Sequence, residues 1–203
     1  MSKIKLCGLT RVEDAESANL ANPDWVGFVF DQGRHFLSDE KAAEIRRALH
    51  PDIPAVGVFV NADPAHITAL VERGIIQAVQ LHGGESEEYL LSLRRRLSCP
   101  FIRVVSVKTT EDVLRWQDTA ADYLLLDHGR GGTGQSFDWG LIPPMKKPWI
   151  MAGGIGLDNL RAALAYHPYG VDISSGAETN GLKDRQKMIR LVQMVREEES
   201  SHK

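Results

Sequence analysis

Eight short runs of apolar, β-favouring residues recur along this chain, and their spacing constrains the fold more than any other feature. They are KIKLCG, WVGFVF, AVGVFVN, IQAVQLHG, FIRVVSV, DYLLLDHG, PWIMAGG and GVDISSG, with starts about 21 to 30 residues apart. That interval is the length of one strand, one loop and one helix. The intervening segments carry helical signals. Thr10 and Glu13 are spaced as a capping box before VEDAESANLA, and Asp63-Pro64 offers a cap and a first-turn proline to AHITALVERG. Asp158 is placed to cap NLRAALAY, and RQKMIRLVQMVRE has an apolar stripe at helical spacing. Runs that are apolar throughout, rather than alternating, belong to strands buried on both faces, as in a parallel sheet covered by helices. Eight strands close a (β/α)8 barrel, for which roughly 200 residues is the lower limit. The chain of 203 residues is therefore expected to be α/β: one (β/α)8 TIM barrel domain of near-minimal length over 1-203, with 197-203 a solvated tail. An open doubly wound sheet is the alternative. Against it, GGIGLDN lacks the last glycine of a dinucleotide fingerprint, and GRGGTGQ has no GK[ST] of a phosphate loop.

Composition narrows the function classes. A formal net charge of -3 gives no electrostatic footprint for nucleic acid or an anionic membrane. The apolar runs fall far short of the ~20 residues that span a bilayer. The opening MSKIKLCGLTRVED meets charge within a few residues of its apolar run and is not expected to be a signal peptide. Cys7 and Cys99 have no metal-ligand spacing around them, so two free thiols in a reducing cytoplasm are expected. A small-molecule partner is the class that remains.

In a barrel of this type the active site lies at the C-terminal ends of the strands. Those ends carry Cys7, Arg34 shortly after the second run, His82, Asp127, Gly153-Gly154 and Ser174-Ser175-Gly176. The loops after strands seven and eight commonly bind phosphate in such barrels, and small residues let backbone N–H groups converge on an anion. Cys7 reads either as a packed thiol or as a base. Lys5, two residues earlier, would share its face of the strand about 7 Å away, and a nearby ammonium favours the thiolate. Asp127, followed by glycines in YLLLDHGRGGTGQSFDW, reads either as a solvated turn residue or as an acid at the mouth of a site. A base on strand one and an acid on strand six, beside a phosphate site, suit proton transfer within a phosphorylated sugar derivative, with no metal or cofactor.

The stretches IKLCGLT, GFVF, VGVFVN, VQLHG, LLLDHGRGGTGQSFDW, AGGIGLDN and VDISSGAETNGLKD resemble phosphoribosylanthranilate isomerase of tryptophan biosynthesis, in the family's order over residues 4 to 184. The resemblance implies an Amadori rearrangement of N-(5-phosphoribosyl)anthranilate to the 1-deoxyribulose phosphate. It implies Asp127 as the acid that protonates the furanose oxygen and Cys7 as the base that takes the C2 proton. By the same resemblance Gly154, Ser175 and Gly176 would hold the phosphate, with Gly153 permitting the approach. Asp172 would face the sugar hydroxyls, or be paired with a barrel lysine such as Lys5. Arg34 would hold the anthranilate carboxylate, although FDQGR is about two residues shorter than the family's loop and lacks its Ser-Pro.

His82 would line the anthranilate pocket or bond to backbone, and His128 is expected to face solvent. Arg103, a charge inside an apolar run, needs a partner that the sequence does not name. Cys99 is expected to be structural, and Trp139 to pack at the start of a short helix. A monomer is the default expectation, with a homodimer left open. Three other readings compete, one of them a structural partner subunit, for which the sequence shows no extended apolar surface. A related phosphoribosyl-amine isomerase of the histidine pathway would carry a carboxylate where Cys7 stands. A sugar-phosphate sensor would need neither Cys7 nor Asp127.

Overall fold

The computed structural model describes residues 2–129 and 136–200. Eight strands, β1 (Lys3–Cys7), β2 (Trp25–Val29), β3 (Ala55–Phe59), β4 (Ala78–Leu81), β5 (Phe101–Ser106), β6 (Tyr123–Asp127), β7 (Trp149–Met151) and β8 (Gly170–Ile173), pair in parallel and in sequence order. The ring closes where β8 returns to β1, with Lys5 registered beside Asp172. Each apolar run is thus a strand, and the closed barrel excludes the open sheet. Around it lie α1 (Val12–Ala21), α2 (Asp39–Ala48), α3 (Pro64–Glu72), α4 (Glu87–Arg94), α5 (Thr110–Leu114), α6 (Leu160–Leu164) and α7 (Arg185–Ser200). Helix α7 continues past residue 197, where a tail was expected to begin; residues 201–203 lie outside the described residues. Among the described residues no helix is long and apolar enough to cross a membrane.

Strand alternation sorts the apolar side chains into two layers. Ile4, Leu6, Phe28, Phe101, Leu124 and Leu126 point outward into the core shared with the helices. Val56, Ala78, Ile102, Val104, Leu125, Ile150 and Ala152 fill the lumen as a separate cluster. Trp25, Tyr123 and Tyr169, with ring centroids 5.0 to 6.1 Å apart, pack together at the N-terminal strand ends. The opposite end of the lumen is lined by polar groups.

Two elements after β8 were not expected. A 3-10 turn, Ser175–Ala177, leads into an antiparallel hairpin of β9 (Glu178–Thr179) and β10 (Leu182–Lys183). Its two turn residues, Asn180 and Gly181, have φ of 52° and 79°, as a two-residue hairpin turn with matching twist requires.

The caps follow the sequence in one place and depart from it in two. Asp63 accepts from the Ala65 N–H at 2.9 Å, with Pro64 opening α3 as expected. Helix α1 starts at Val12, so its third position is Asp14 rather than Glu13. Asp14 Oδ2 accepts the N–H groups of Thr10 and Arg11 at 2.9 and 3.1 Å, and its Oδ1 pairs with the Arg11 guanidinium at 2.7 Å. Before α6 the cap position is Asn159, not Asp158, and its side chain makes no cap bond to the helix: its Oδ1 accepts from the Gly156 N–H at 2.9 Å. Asp14→Ala is expected to cost about 1–3 kcal/mol by urea unfolding, since it strands buried donors. Thr10→Ala should stay within roughly 0.5 kcal/mol. Equal losses would restore Thr10 as the cap.

Candidate active site

Cys7 and Lys5 both point into the lumen from β1. Lys5 is fully buried, and its Nζ donates to Gln80 Oε1 at 2.9 Å and to Asp172 Oδ1 and Oδ2 at 3.1 and 3.0 Å. Asp172 is therefore paired with the barrel lysine, the second of the two readings of it. Burial works against the Lys5 ammonium, but the Asp172 carboxylate and the neighbouring thiol outweigh it and hold the pKa above its ordinary value. The thiol of Cys7 rests on the bare face of Gly27 in β2, where a Cβ would come within 2.5 Å of Sγ.

The expected low thiol pKa is not what this geometry produces. Burial pushes the Cys7 thiol up, and the lowering by Lys5 is opposed by Asp172, whose negative charge sits on the same ammonium. The resting group is a thiol.

Asp127 ends β6 and is 7% exposed. One carboxylate oxygen accepts the N–H of His128 at 2.7 Å, and the other lies 3.7 Å from His82 Nε2. Burial raises the Asp127 pKa to about 6, the hydrogen bond from His128 holding it back only in part. His82 Nε2 is buried and has no partner among the described residues. Burial, followed by the charge of Lys5, keeps the His82 pKa below its ordinary value, so the ring is neutral at pH 7. His128 does not simply face solvent: its Nδ1 is buried and without a partner among the described residues.

The loops after β7 and β8 touch. A Cβ at Gly176 would collide with the Ile155 carbonyl, so only glycine allows the two loops to meet there. Gly153 and Gly154 both have positive φ, 83° and 64°. Among the described residues, the N–H groups of Gly153, Gly154, Ser175 and Gly176 have no acceptor. Four such donors on two touching loops are the kind of backbone group that can bind an anion. The segment GRGGTGQ falls mostly on 130–135, outside the described residues. Ser136, just beyond it, donates to the Gly153 carbonyl at 3.1 Å.

Arg34 is half exposed, and its Nη2 pairs with Glu178 Oε2 at 2.8 Å. Glu178 in turn accepts from Lys183 Nζ at 2.6 Å and faces His35 Nε2 at 2.8 Å. Sequence reasoning missed this cluster, and the dipeptide Asn180-Gly181 was the signal that could have found its hairpin. It also left Arg103 without a partner. Arg103 Nη1 donates to the Glu85 carbonyl at 2.6 Å and lies 3.4 Å from its carboxylate, and the guanidinium stacks 4.2 Å from the Trp116 ring. Glu85 also accepts the N–H groups of Asn61 and Gly83, so this buried pair braces the loops next to His82. Cys99 is half-buried against the core, and Trp139 opens the 3-10 turn Trp139–Leu141, packed edge-on to Tyr166.

A family model described as N-(5'phosphoribosyl)anthranilate (PRA) isomerase matches residues 4–194. The chain belongs to this family. The N-(5'-phosphoribosyl)anthranilate isomerase of Endomicrobium trichonymphae is 42% identical, over 97% of this chain and 99% of that one. The phosphoribosyl anthranilate isomerase of Thermotoga maritima superposes with a TM-score of 0.88 at 33% identity, covering 97% and 100% of the two chains. A further isomerase structure, in complex with reduced 1-(o-carboxyphenylamino)-1-deoxyribulose 5-phosphate, superposes with a TM-score of 0.85 at 32% identity, over 97% and 100%.

Were Asp127 to act as an acid and Cys7 as a base, turnover would need Asp127 protonated and Cys7 ionised, the form that carries one proton between the two groups. We expect kcat/KM to rise with pH around a midpoint of about 6, as the doubly protonated form loses a proton from Asp127, and to fall only above the ordinary thiol range. A rate profile with no limb near pH 6 would contradict this.

Proposed function

We propose that Asp127 and Cys7 are the acid and base of the family's reaction, the Amadori rearrangement of N-(5'-phosphoribosyl)anthranilate. Asp127 gives its proton to the furanose ring oxygen, and the ring opens to a Schiff base. Cys7 takes the proton from C2 of the sugar, leaving an enolamine. The enolamine then tautomerises, C1 gaining a proton as the C2 hydroxyl gives one up, to the ketone, 1-(2-carboxyphenylamino)-1-deoxyribulose 5-phosphate. The observation that carries this assignment is the pairing of opposites at the mouth of one lumen: a carboxyl group with a raised pKa on β6 and a buried thiol on β1. A carboxyl group that titrates at about 6 keeps a far larger protonated fraction at neutral pH than an ordinary aspartate does, so it has a proton to give.

The rest of the substrate is held by groups already described. The phosphate takes the N–H groups of Gly154, Ser175 and Gly176, with the positive φ of Gly153 opening the approach. Asp172, fixed by Lys5, accepts from the sugar hydroxyls on its exposed edge. His82 lines the site beside Asp127, and Arg34 receives the anthranilate carboxylate, a planar bidentate donor for a planar acceptor. The substrate is a phosphorylated small molecule, and a monomer, the default expectation, or a homodimer would carry such a site equally. The chain's two thiols are free, which suits a reducing cytoplasm.

The test is turnover of freshly prepared phosphoribosylanthranilate by the parent, Cys7→Ala and Asp127→Asn. Each variant should lose at least ~10²-fold in kcat, the scale of a missing acid or base, with its thermal midpoint retained. A folded Cys7→Ala protein with parental turnover would remove the thiol from the mechanism.

A further inference from the structure

Glu178 belongs to no step above, yet it is one of the most heavily engaged side chains near the site. It is 7% exposed and stands at the first residue of β9, two positions after Gly176 of the proposed phosphate donors. Its Oε1 accepts from Lys183 Nζ at 2.6 Å and from His35 Nε2 at 2.8 Å, while Oε2 accepts from Arg34 Nη2 at 2.8 Å. Lys183 uses a second proton on the Ser174 carbonyl at 3.0 Å, which fixes the chain immediately before Ser175. The backbone carbonyl of Glu178 accepts from Lys187 at 2.6 Å, which anchors the hairpin to α7. On the other side, His35 packs so closely on Gly8, the residue after Cys7, that a Cβ there would come within 2.9 Å of the ring. The β2 loop, the end of β1 and the β8 loop therefore meet on one carboxylate.

The electrostatics agree with the geometry. Burial works to raise the Glu178 pKa, but Lys183, His35 and Arg34 outweigh it and hold the group ionised. Burial and the charge of Lys183 keep His35 below its ordinary pKa, so at neutral pH its Nε2–H donates as a neutral ring. A neutral His35 leaves Arg34 and Lys183 as the cations on one anion.

We propose that Glu178 is a positioning residue that holds the Arg34 guanidinium and the Ser175–Gly176 segment in fixed relation, so that one side chain sets the span between the aromatic-carboxylate end and the phosphate end of the substrate. This deepens the assignment of Arg34 given above and rests on it. The guanidinium has five donors, and Glu178 engages only Nη2, so the same group can hold Glu178 and a second carboxylate at once. The turn of the hairpin lies near its other side, where a Cβ added at Gly181 would come no closer than 3.8 Å to Arg34 Nη1. A loop of FDQGR length benefits from such an external support, because Gln32 and Gly33, both exposed, supply little rigidity of their own.

The test compares Glu178→Gln, Arg34→Ala and the double variant on two substrates: phosphoribosylanthranilate and its analogue built on aniline, which lacks the carboxylate. Glu178→Gln should raise KM for the carboxylated substrate roughly tenfold, the scale of one charge-assisted hydrogen bond, with kcat changed by less than about threefold. The aniline analogue should be affected far less, and the double variant should be no worse than Arg34→Ala. If Glu178→Gln weakens both substrates equally, or adds in full to Arg34→Ala, Glu178 is only a framework residue and the proposal fails. If Arg34→Ala itself leaves the preference for the carboxylated substrate intact, the Arg34 assignment fails first and takes the proposal with it. Should Glu178→Gln not fold, Arg34→Lys decides. A point-like ammonium cannot reach both carboxylates, so preference should drop nearly as far as with alanine, and its retention would overturn the proposal.

Discussion

The contact on which this barrel and its chemistry both depend is the ion pair between Lys5 and Asp172. The two residues sit side by side where β8 closes on β1. A fully buried ammonium is costly to desolvate, and it persists here because Asp172 and Gln80 together take its protons. The same pairing largely neutralises Lys5, the cation that acts most strongly on Cys7, with Lys183 acting more weakly. Burial first, and then this pairing, keep the proton on the thiol at rest.

The site is built in layers along the lumen. Apolar residues from β3 to β7 fill the lower part, the Lys5–Gln80–Asp172 network forms the floor of the site, and Cys7, His82 and Asp127 stand above it. The floor is rigid because a core of this density leaves no slack around a fully satisfied polar network. The walls are made of loops that would be soft by themselves. Two carboxylates stiffen them from behind: Glu85 gathers the loops after β3 and β4 with Arg103 of β5, and Glu178 gathers those after β2 and β8.

The eight strands were legible because a strand buried on both faces must be apolar along its whole length, and little else in a chain of this size is. Cys7 and Asp127 were legible because each ends such a strand, where the fold itself directs attention. What escaped was set by contacts between segments distant in sequence. The α1 cap moved from Thr10 and Glu13 to Asp14 because the helix begins one residue later than the capping pattern suggests. Arg103 could not be given Glu85 as a partner, since only loop geometry brings the two together. Glu178 looked like one more charged loop residue, and nothing near it in sequence hinted at Arg34, more than a hundred positions away. The state of the Cys7 thiol was misread because Lys5 is two residues away and visible, whereas burial, the larger effect, and Asp172, from the far end of the chain, emerge only from the folded barrel.

The account therefore turns on the resting state of one thiol and on the pair that sets it. The most direct measurement is a pH titration of the Cys7 thiolate by its ultraviolet absorbance, in a Cys99→Ser background, with and without Asp172→Asn. The parent should remain a thiol through neutral pH and ionise only above the ordinary thiol range, and removing the Asp172 charge should move that ionisation to lower pH as Lys5 is released to act on the thiol alone. A parent already ionised at neutral pH, or a titration that Asp172→Asn leaves in place, would contradict the role given to the Lys5–Asp172 pair.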